Sequence, residues 1–265
     1  LEVGLGGRLD SSNVMTPKLS VIASISNDHH DFLGDTLEKI AFEKAGIIKP
    51  NVPVIIGQQP YKEALEVLIN QAKKLEAPAF VYKQDWNIKQ NENKICYSDE
   101  EGEIFLDPLN INGEFQLYNL GLAIASTRKI ENQNIKNALS HNPHLKIKLP
   151  GRIQQINNGK YFKLISPQNE LFLDGSHNED AAFQLNLAMQ NIPQVKDLVM
   201  ILGMINTKDP INYVKQLKGL VAIKTITIPD EVSAIPAEQL SSKLTGLVSE
   251  VSPASNIEEA IRSLS

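Results

Sequence analysis

The spacing of apolar residues divides the chain into alternating strands and helices. Residues 19–25 form an apolar run suited to a buried parallel strand. A polar loop, residues 26–34, follows. Leu37, Ile40, Ala41, Lys44 and Ala45 then recur at i, i+3, i+4, i+7 and i+8, which is one stripe of a helix. Asp35 and Glu38 have capping-box spacing at its start, and Gly46 suits the position just past its end. Residues 53–57 read as a second strand and 61–75 as an amphipathic helix. Residues 80–105 are polar and hairpin-like, with turn signals at 91–93 and 99–102. A further helix runs from near Phe115 to Lys129.

The pattern stops at His141-Asn142-Pro143-His144 and Leu149-Pro150-Gly151. These breakers place a domain boundary there, giving domains 1–148 and 149–265. Beyond it, the apolar runs 171–173, 198–202, 223–228 and 247–251 alternate with helical segments, most clearly 180–190 and 257–263. That alternation predicts βαβ units and a Rossmann-like, mostly parallel sheet, so the chain belongs to the α/β class.

Composition narrows the function. At 265 residues, two ordinary domains fit. A net charge of −5 leaves no basic footprint, which argues against nucleic acid as a partner. No apolar run approaches the length of a bilayer span, so no membrane is expected. The single Cys96 excludes an intramolecular disulfide and fits a reducing, cytoplasmic setting. It reads as an ordinary partly buried thiol. The chain opens inside a motif, without Met, and ends just after a helix; the expectation is a polypeptide cut at its N-terminus and short of a closing strand.

Five places carry candidate chemistry. Glu2 precedes Gly4-Leu5-Gly6-Gly7-Arg8, where glycines admit close approach, Glu2 can hold a divalent cation and Arg8 can orient an acidic group; an ordinary tight turn after a strand is the alternative. Asp28-His29-His30 stands between a strand and a helix, where open α/β sheets bind ligands, although a solvated loop has the same composition. Lys44 falls on the apolar face of its helix. A lysine there must lose its charge, find a partner or snorkel to water. A neutral amine can accept CO₂ and become a carbamate, an oxygen ligand for Mg²⁺. Asp174-Gly175-Ser176-His177-Asn178 joins an apolar run to a helix N-terminus, with Asn178 a cap in either reading. Arg152, at the domain boundary, is the residue type that grips phosphate, and Lys208-Asp209 reads as a solvated turn. No phosphate-binding loop, zinc-type Cys/His spacing or Ser–His–Asp arrangement is recognisable.

In order, these segments resemble the folylpolyglutamate synthase/dihydrofolate synthase family of the Mur ligase superfamily. The matching blocks are Glu2-Val3-Gly4-Leu5-Gly6-Gly7-Arg8-Leu9-Asp10 with Asn13, Asp28-His29 with Leu33-Gly34-Asp35-Thr36, and Glu43-Lys44-Ala45-Gly46-Ile47-Ile48-Lys49. Leu149-Pro150-Gly151-Arg152, Asp174-Gly175-Ser176-His177-Asn178 and Lys208-Asp209 complete them.

The resemblance implies the remainder of a P-loop-type ATPase domain followed by a glutamate-ligase domain. It implies the MgATP-dependent joining of L-glutamate to dihydropteroate, or to the γ-carboxylate of tetrahydrofolate, through an acyl phosphate, in a monomeric cytoplasmic enzyme. Glu2 and His29 would ligate Mg²⁺ and Lys44 would be the carbamylated lysine. Asn119, Arg152 and Asp174 would contact ATP, and His177 would lie near glutamate or the nucleotide. The family's phosphate loop would lie upstream of Leu1, and Phe115 replaces the family's usual histidine. Without that loop the chain is expected to bind ATP poorly and not to turn over. Two other readings stand beside this one: a non-catalytic piece of a split or decaying gene, and a cell-wall Mur ligase using another amino acid.

Overall fold

A computed structural model describes residues 1–26, 33–91, 94–109, 113–130, 149–192 and 197–264. The chain divides into two compact units, Leu1–Ile147 and Lys148–Ser265.

In the first unit, β1 (Ser20–Ile22), β2 (Val54–Ile56) and β3 (Ala79–Val81) pair in parallel in that order. Between them run α1 (Leu37–Ala45) and α2 (Lys62–Lys74), which pack on each other. The central strand shows why its sequence is apolar throughout. Val54 and Ile56 join Ile40, Ala41 and Leu68 in one core cluster, whereas Ile55 joins Trp86, Ile88, Tyr97 and Leu117 in another. A strand covered on both faces has no polar side to alternate with.

The second cluster is closed by an antiparallel meander, β4 (Trp86–Gln90), β5 (Ile95–Asp99) and β6 (Gly102–Leu106), and by α3 (Glu114–Lys129) lying on β4. Here burial alternates as the pleat requires: Trp86, Ile88, Ile95 and Tyr97 point inward. Helix and strand approach so closely that a Cβ on Gly121 would stand 2.7 Å from Ile88 Cγ2 and 2.8 Å from Trp86 Cζ3. At the end of α3, Arg128 pairs with Asp99 at 2.9 Å, with side chains only 10% and 3% exposed. The Tyr97 hydroxyl donates to the same carboxylate at 2.9 Å. Burial, with Asp99 next in weight, pushes that hydroxyl far above its ordinary range.

Three expectations for this unit are corrected. The first strand is three residues long, not seven. Beyond Ile22 the Gln59 side chain takes over the ladder, accepting from Ile25 N–H at 3.0 Å and donating to Ala23 O at 2.9 Å. The cap of α1 is Thr36, whose hydroxyl accepts from Lys39 N–H at 3.3 Å; Asp35 instead pairs with the Lys39 ammonium. Gly46 ends the helix in right-handed geometry, φ −63°, so its lack of a side chain serves packing rather than a left-handed turn.

The second unit begins with a short antiparallel ladder of β7 (Gln154–Gln155) and β8 (Phe172–Leu173). The run 171–173 therefore stays outside the parallel sheet it was expected to open. That sheet consists of β9 (Leu198–Leu202), β10 (Leu220–Thr225) and β11 (Glu250–Pro253), in the order β11-β10-β9. Its helices are α4 (Glu179–Gln190), α5 (Pro210–Lys215), α6 (Ala237–Leu244) and α7 (Ile257–Arg262). β10 lies three residues earlier than its apolar run suggests. Ile226 N–H makes one last bond to Leu202 O at 2.9 Å, and residues 227–228 run on past the ladder. β11 begins late because Leu247 still belongs to the turn closing α6, bonding Leu244 O at 3.1 Å. The short helices α5 and α6 start at proline, Pro210 at its first turn and Pro236 at its cap.

Candidate functional site

In the first unit, two of the sequence blocks are fastened to each other. Asp10 closes the glycine-rich loop by accepting from Gly4 N–H and Leu5 N–H through Oδ2, both at 3.1 Å, and from Ser12 N–H at 2.8 Å through Oδ1. The Ser12 hydroxyl and amide, with the Leu5 amide after them, hold the Asp10 carboxyl down at about 2. The closed loop then docks on the C-terminal end of α1. Arg8 N–H donates to Glu43 O at 2.8 Å, and its guanidinium meets the Glu43 carboxylate at 3.0–3.2 Å. Asn13 Nδ2 donates to Arg8 O at 3.1 Å and to Gly46 O at 3.0 Å, and Lys49 Nζ returns to Asn13 O at 3.0 Å.

The glycines are required by this contact. A Cβ on Gly7 would stand 2.9 Å from Glu43 O and 3.2 Å from Lys44 O, and one on Gly46 would stand 2.5 Å from Arg8 Cα. The acidic group that Arg8 orients is thus Glu43 of its own chain.

The candidate residues of this unit take different places. Lys44 sits half-buried beside Ile40, Ala41 and Ala45, on the face the spacing assigned to it. Glu2 is exposed at the entrance to the glycine loop. Asn119 is exposed on α3, between buried Gln116 and buried Leu120. His29 lies outside the described residues. Among the described residues no three His, Cys, Asp or Glu side chains converge as an all-protein metal cage. Phe115 lays its ring over Gly113, where a Cβ would come within 2.8 Å of Phe115 Cδ1. Cys96 is half-buried, and burial lifts its thiol above the ordinary range.

In the second unit the blocks around Arg152 and Asp174 are also stitched together. Asp174 Oδ2 accepts from Ile153 N–H at 2.8 Å, and Oδ1 from Ser176 N–H at 2.8 Å. Gly175 N–H donates to Gly151 O at 2.8 Å, and Gly151 N–H to Gln154 Oε1 at 3.0 Å. Arg152 is exposed at the apex between them. Ile153 is buried, at 1% exposure, with φ +47°. A β-branched residue in that left-handed region carries about 1–3 kcal/mol of strain.

His177 Nδ1 lies 2.9 Å from Gly175 O. A carbonyl only accepts, so Nδ1 carries the proton of that bond and Nε2 faces outward. Asn178 caps α4 by accepting from Ala181 N–H at 2.8 Å. The Ser176 hydroxyl pairs at 2.9 Å with that of Tyr213, a buried residue of α5 whose hydroxyl is pushed up chiefly by burial. Lys208-Asp209 lies at the end of a turn, where exposed Asp209 also caps α5 by accepting from Ile211 N–H and Asn212 N–H.

Sequence reasoning passed over Asp10, Glu43, Tyr213 and Ile153 as functional or supporting residues. The first two stood inside the quoted blocks; Asp10 could have been found as the acid next to the glycine loop, while Glu43 lies thirty-five positions from Arg8 and is paired with it only by the fold. The others had no local signal, because each acts across the fold.

Residues 1–127 match the Mur ligase middle domain. The chain is 31% identical over 234 residues to a dihydrofolate synthase/folylpolyglutamate synthase of Haemophilus influenzae, covering 83% of this chain and 51% of that one. It is similar to the structure of Escherichia coli FolC in complex with DHPP and ADP, with a TM-score of 0.79 and 26% identity over 99% of this chain and 59% of that one. It is also similar to a bifunctional folylpolyglutamate synthase/dihydrofolate synthase with Mn, AMPPNP and L-glutamate bound, with a TM-score of 0.75 and 27% identity, covering 99% and 59%. The chain spans about half the length of the curated relatives it matches. Among the described residues no helix is long and apolar enough to cross a membrane.

Proposed function

We propose, on the premise that this chain belongs to the Mur ligase superfamily and to its folylpolyglutamate synthase/dihydrofolate synthase family, that it is part of an ATP-dependent glutamate ligase. The acceptor is dihydropteroate, the γ-carboxylate of a reduced folate, or both. The observation that carries this reading is the docking of the Gly4–Gly7 loop onto the Lys44 helix through Arg8–Glu43 and Asn13–Gly46. It sets a carboxylate-bearing glycine loop and a half-buried lysine on one rigid support.

In the reaction, a substrate carboxylate oxygen attacks the γ-phosphorus of ATP and ADP departs. The glutamate nitrogen then attacks the acyl carbon, phosphate departs, and the amine proton passes to a base. Bound Mg²⁺ would neutralise charge on the phosphoryl oxygens. The donor set fits: Mg²⁺ is held by one or two carboxylates plus substrate phosphates more often than by an all-protein cage. Glu2 and His29 would hold it, with Lys44 as a carbamate contributing anionic oxygen. Arg152 would bind phosphate, Asp174 and Asn119 would contact the nucleotide, and His177 Nε2 would accept a hydrogen bond from glutamate or nucleotide. Relatives bound to ADP and DHPP, and to AMPPNP and L-glutamate, support this assignment of ligands.

The test is transfer of labelled glutamate to dihydropteroate or tetrahydrofolate by the protein that carries these residues, with MgATP. Transfer is expected with at least one acceptor. Lys44→Ala is expected to abolish it, with partial recovery on adding short carboxylates. No transfer to either acceptor rejects the reading, and full activity of Lys44→Ala removes the carbamate.

A further inference from the structure

We propose that Asp174 is a positioning residue for Arg152: its carboxylate locks the turn of residues 151–153 and thereby fixes where the guanidinium meets an anionic ligand such as a nucleotide phosphate. The inference rests on the ligase reading of this site and adds to Asp174 a role exerted through another residue.

The argument starts from Ile153. Its φ of +47° is a conformation that branched side chains avoid, and a buried residue keeps it only where its surroundings enforce it. Here the enforcing contacts are visible. Asp174 Oδ2 takes the Ile153 amide, Gly175 N–H takes Gly151 O, and Gln154 Oε1 takes the Gly151 amide. The backbone is thus pinned on both sides of Arg152, while no described residue is bonded to the guanidinium itself. Gly151 stands at φ +66° with open space where a Cβ would be, so it too is selected for backbone conformation. Asp174 is in turn held by Ser176 N–H, and Ser176 by the hydroxyl of Tyr213. The braces run from the α5 core through Tyr213, Ser176 and Asp174 to the Ile153 amide, next to an arginine whose guanidinium no described residue bonds. Such bracing serves an arginine whose ligand comes from outside the described residues.

Asp174→Asn is a discriminating change. Both carboxylate oxygens accept a backbone N–H, and an amide offers one oxygen, so the Ile153 or Ser176 amide must lose its partner. The experiment uses the whole protein that carries these residues and measures amide exchange at Ile153 and Ser176 and ATP affinity in wild type, Asp174→Asn, Arg152→Ala and the double variant, with the β10 amides as the control for folding. Exchange at Ile153 or Ser176 is expected to rise about tenfold and ATP affinity to fall about tenfold, the loss of one strong hydrogen bond. The double variant is expected to lose less ATP affinity than the product of the two single losses, because part of the effect of Asp174 passes through Arg152 and only the rest through its own contact with the nucleotide. Gly151→Ala strains the same turn without touching Asp174, so it decides the matter if Asp174→Asn fails to fold: it should weaken ATP in the wild-type background and not in the Arg152→Ala background. Losses that multiply in the double variants, or unchanged exchange at Ile153 and Ser176, overturn the proposal. A wild-type protein that binds no ATP rejects the ligase reading instead, and the Ile153 and Ser176 amides then decide the clamp alone.

Discussion

Arg128→Met should destabilise the first unit by about 3 kcal/mol, and the structure gives the terms. Arg128 and Asp99 are 10% and 3% exposed and 2.9 Å apart, so water screens the pair little. Removing one partner of a buried ion pair costs about 3–5 kcal/mol, because the other charge stays buried. Two features place this pair at the lower end. Asp99 keeps the Tyr97 hydroxyl and the Glu101 amide, both at 2.9 Å. Arg128 Nε is itself buried with no hydrogen-bond partner among the described residues, a cost the substitution removes. Methionine retains the alkyl packing of the arginine stem, so the change isolates the charge. A loss of about 3 kcal/mol is roughly a hundredfold in the folding equilibrium. The reporter is built in: Trp86 is the chain's single tryptophan, is 3% exposed, and lies 6.2 Å from the Tyr97 ring. Urea unfolding followed by its fluorescence reads the first unit alone. Asp99→Asn in the Arg128→Met background should recover about 2 kcal/mol, since the buried charge is then gone. A cost below about 1 kcal/mol for Arg128→Met, or strict additivity in the double variant, refutes the reasoning.

The Asp10 loop should depend on pH with a definite sign. Its folded pKa, about 2, lies below the ordinary 3.8, so loop closure is fully present above about pH 4 and is lost as pH falls toward 2. Amide exchange at Gly4 and Leu5 reads this directly, and Asp10→Asn should speed it at neutral pH; protection that survives to pH 2 contradicts the assignment. Gly121→Ala should cost about 1–3 kcal/mol through overpacking against Trp86 and Ile88, with a shift in Trp86 fluorescence. A neutral alanine would mean that α3 can lift from β4 freely.

Much of the fold was legible because periodicity reports burial. Val54, Ile55 and Ile56 announce a two-faced strand, and the stripe from Leu37 to Ala45 placed Lys44 where it stands. Strand limits were less legible, since they depend on the neighbour: β10 starts and stops with β9, and Gln59 ends β1. The short β7–β8 ladder escaped because two residues carry no period. For the site, the motif residues were visible, while their support was not. Asp10 stands beside the loop it holds and Glu43 thirty-five positions from Arg8, and only the folded geometry pairs them with the Gly4 and Leu5 amides and with Arg8. The φ of Ile153 is set by Asp174, twenty-one positions later, and no local preference of isoleucine encodes it.

The central claim is that this protein activates a carboxylate as an acyl phosphate before glutamate attacks. The most direct measurement supplies an acceptor labelled with ¹⁸O in both carboxylate oxygens, together with MgATP and L-glutamate, and follows the label by mass spectrometry. The account predicts one ¹⁸O in the released phosphate and one in the new amide for each glutamate joined. Glutamate addition with unlabelled phosphate would contradict it.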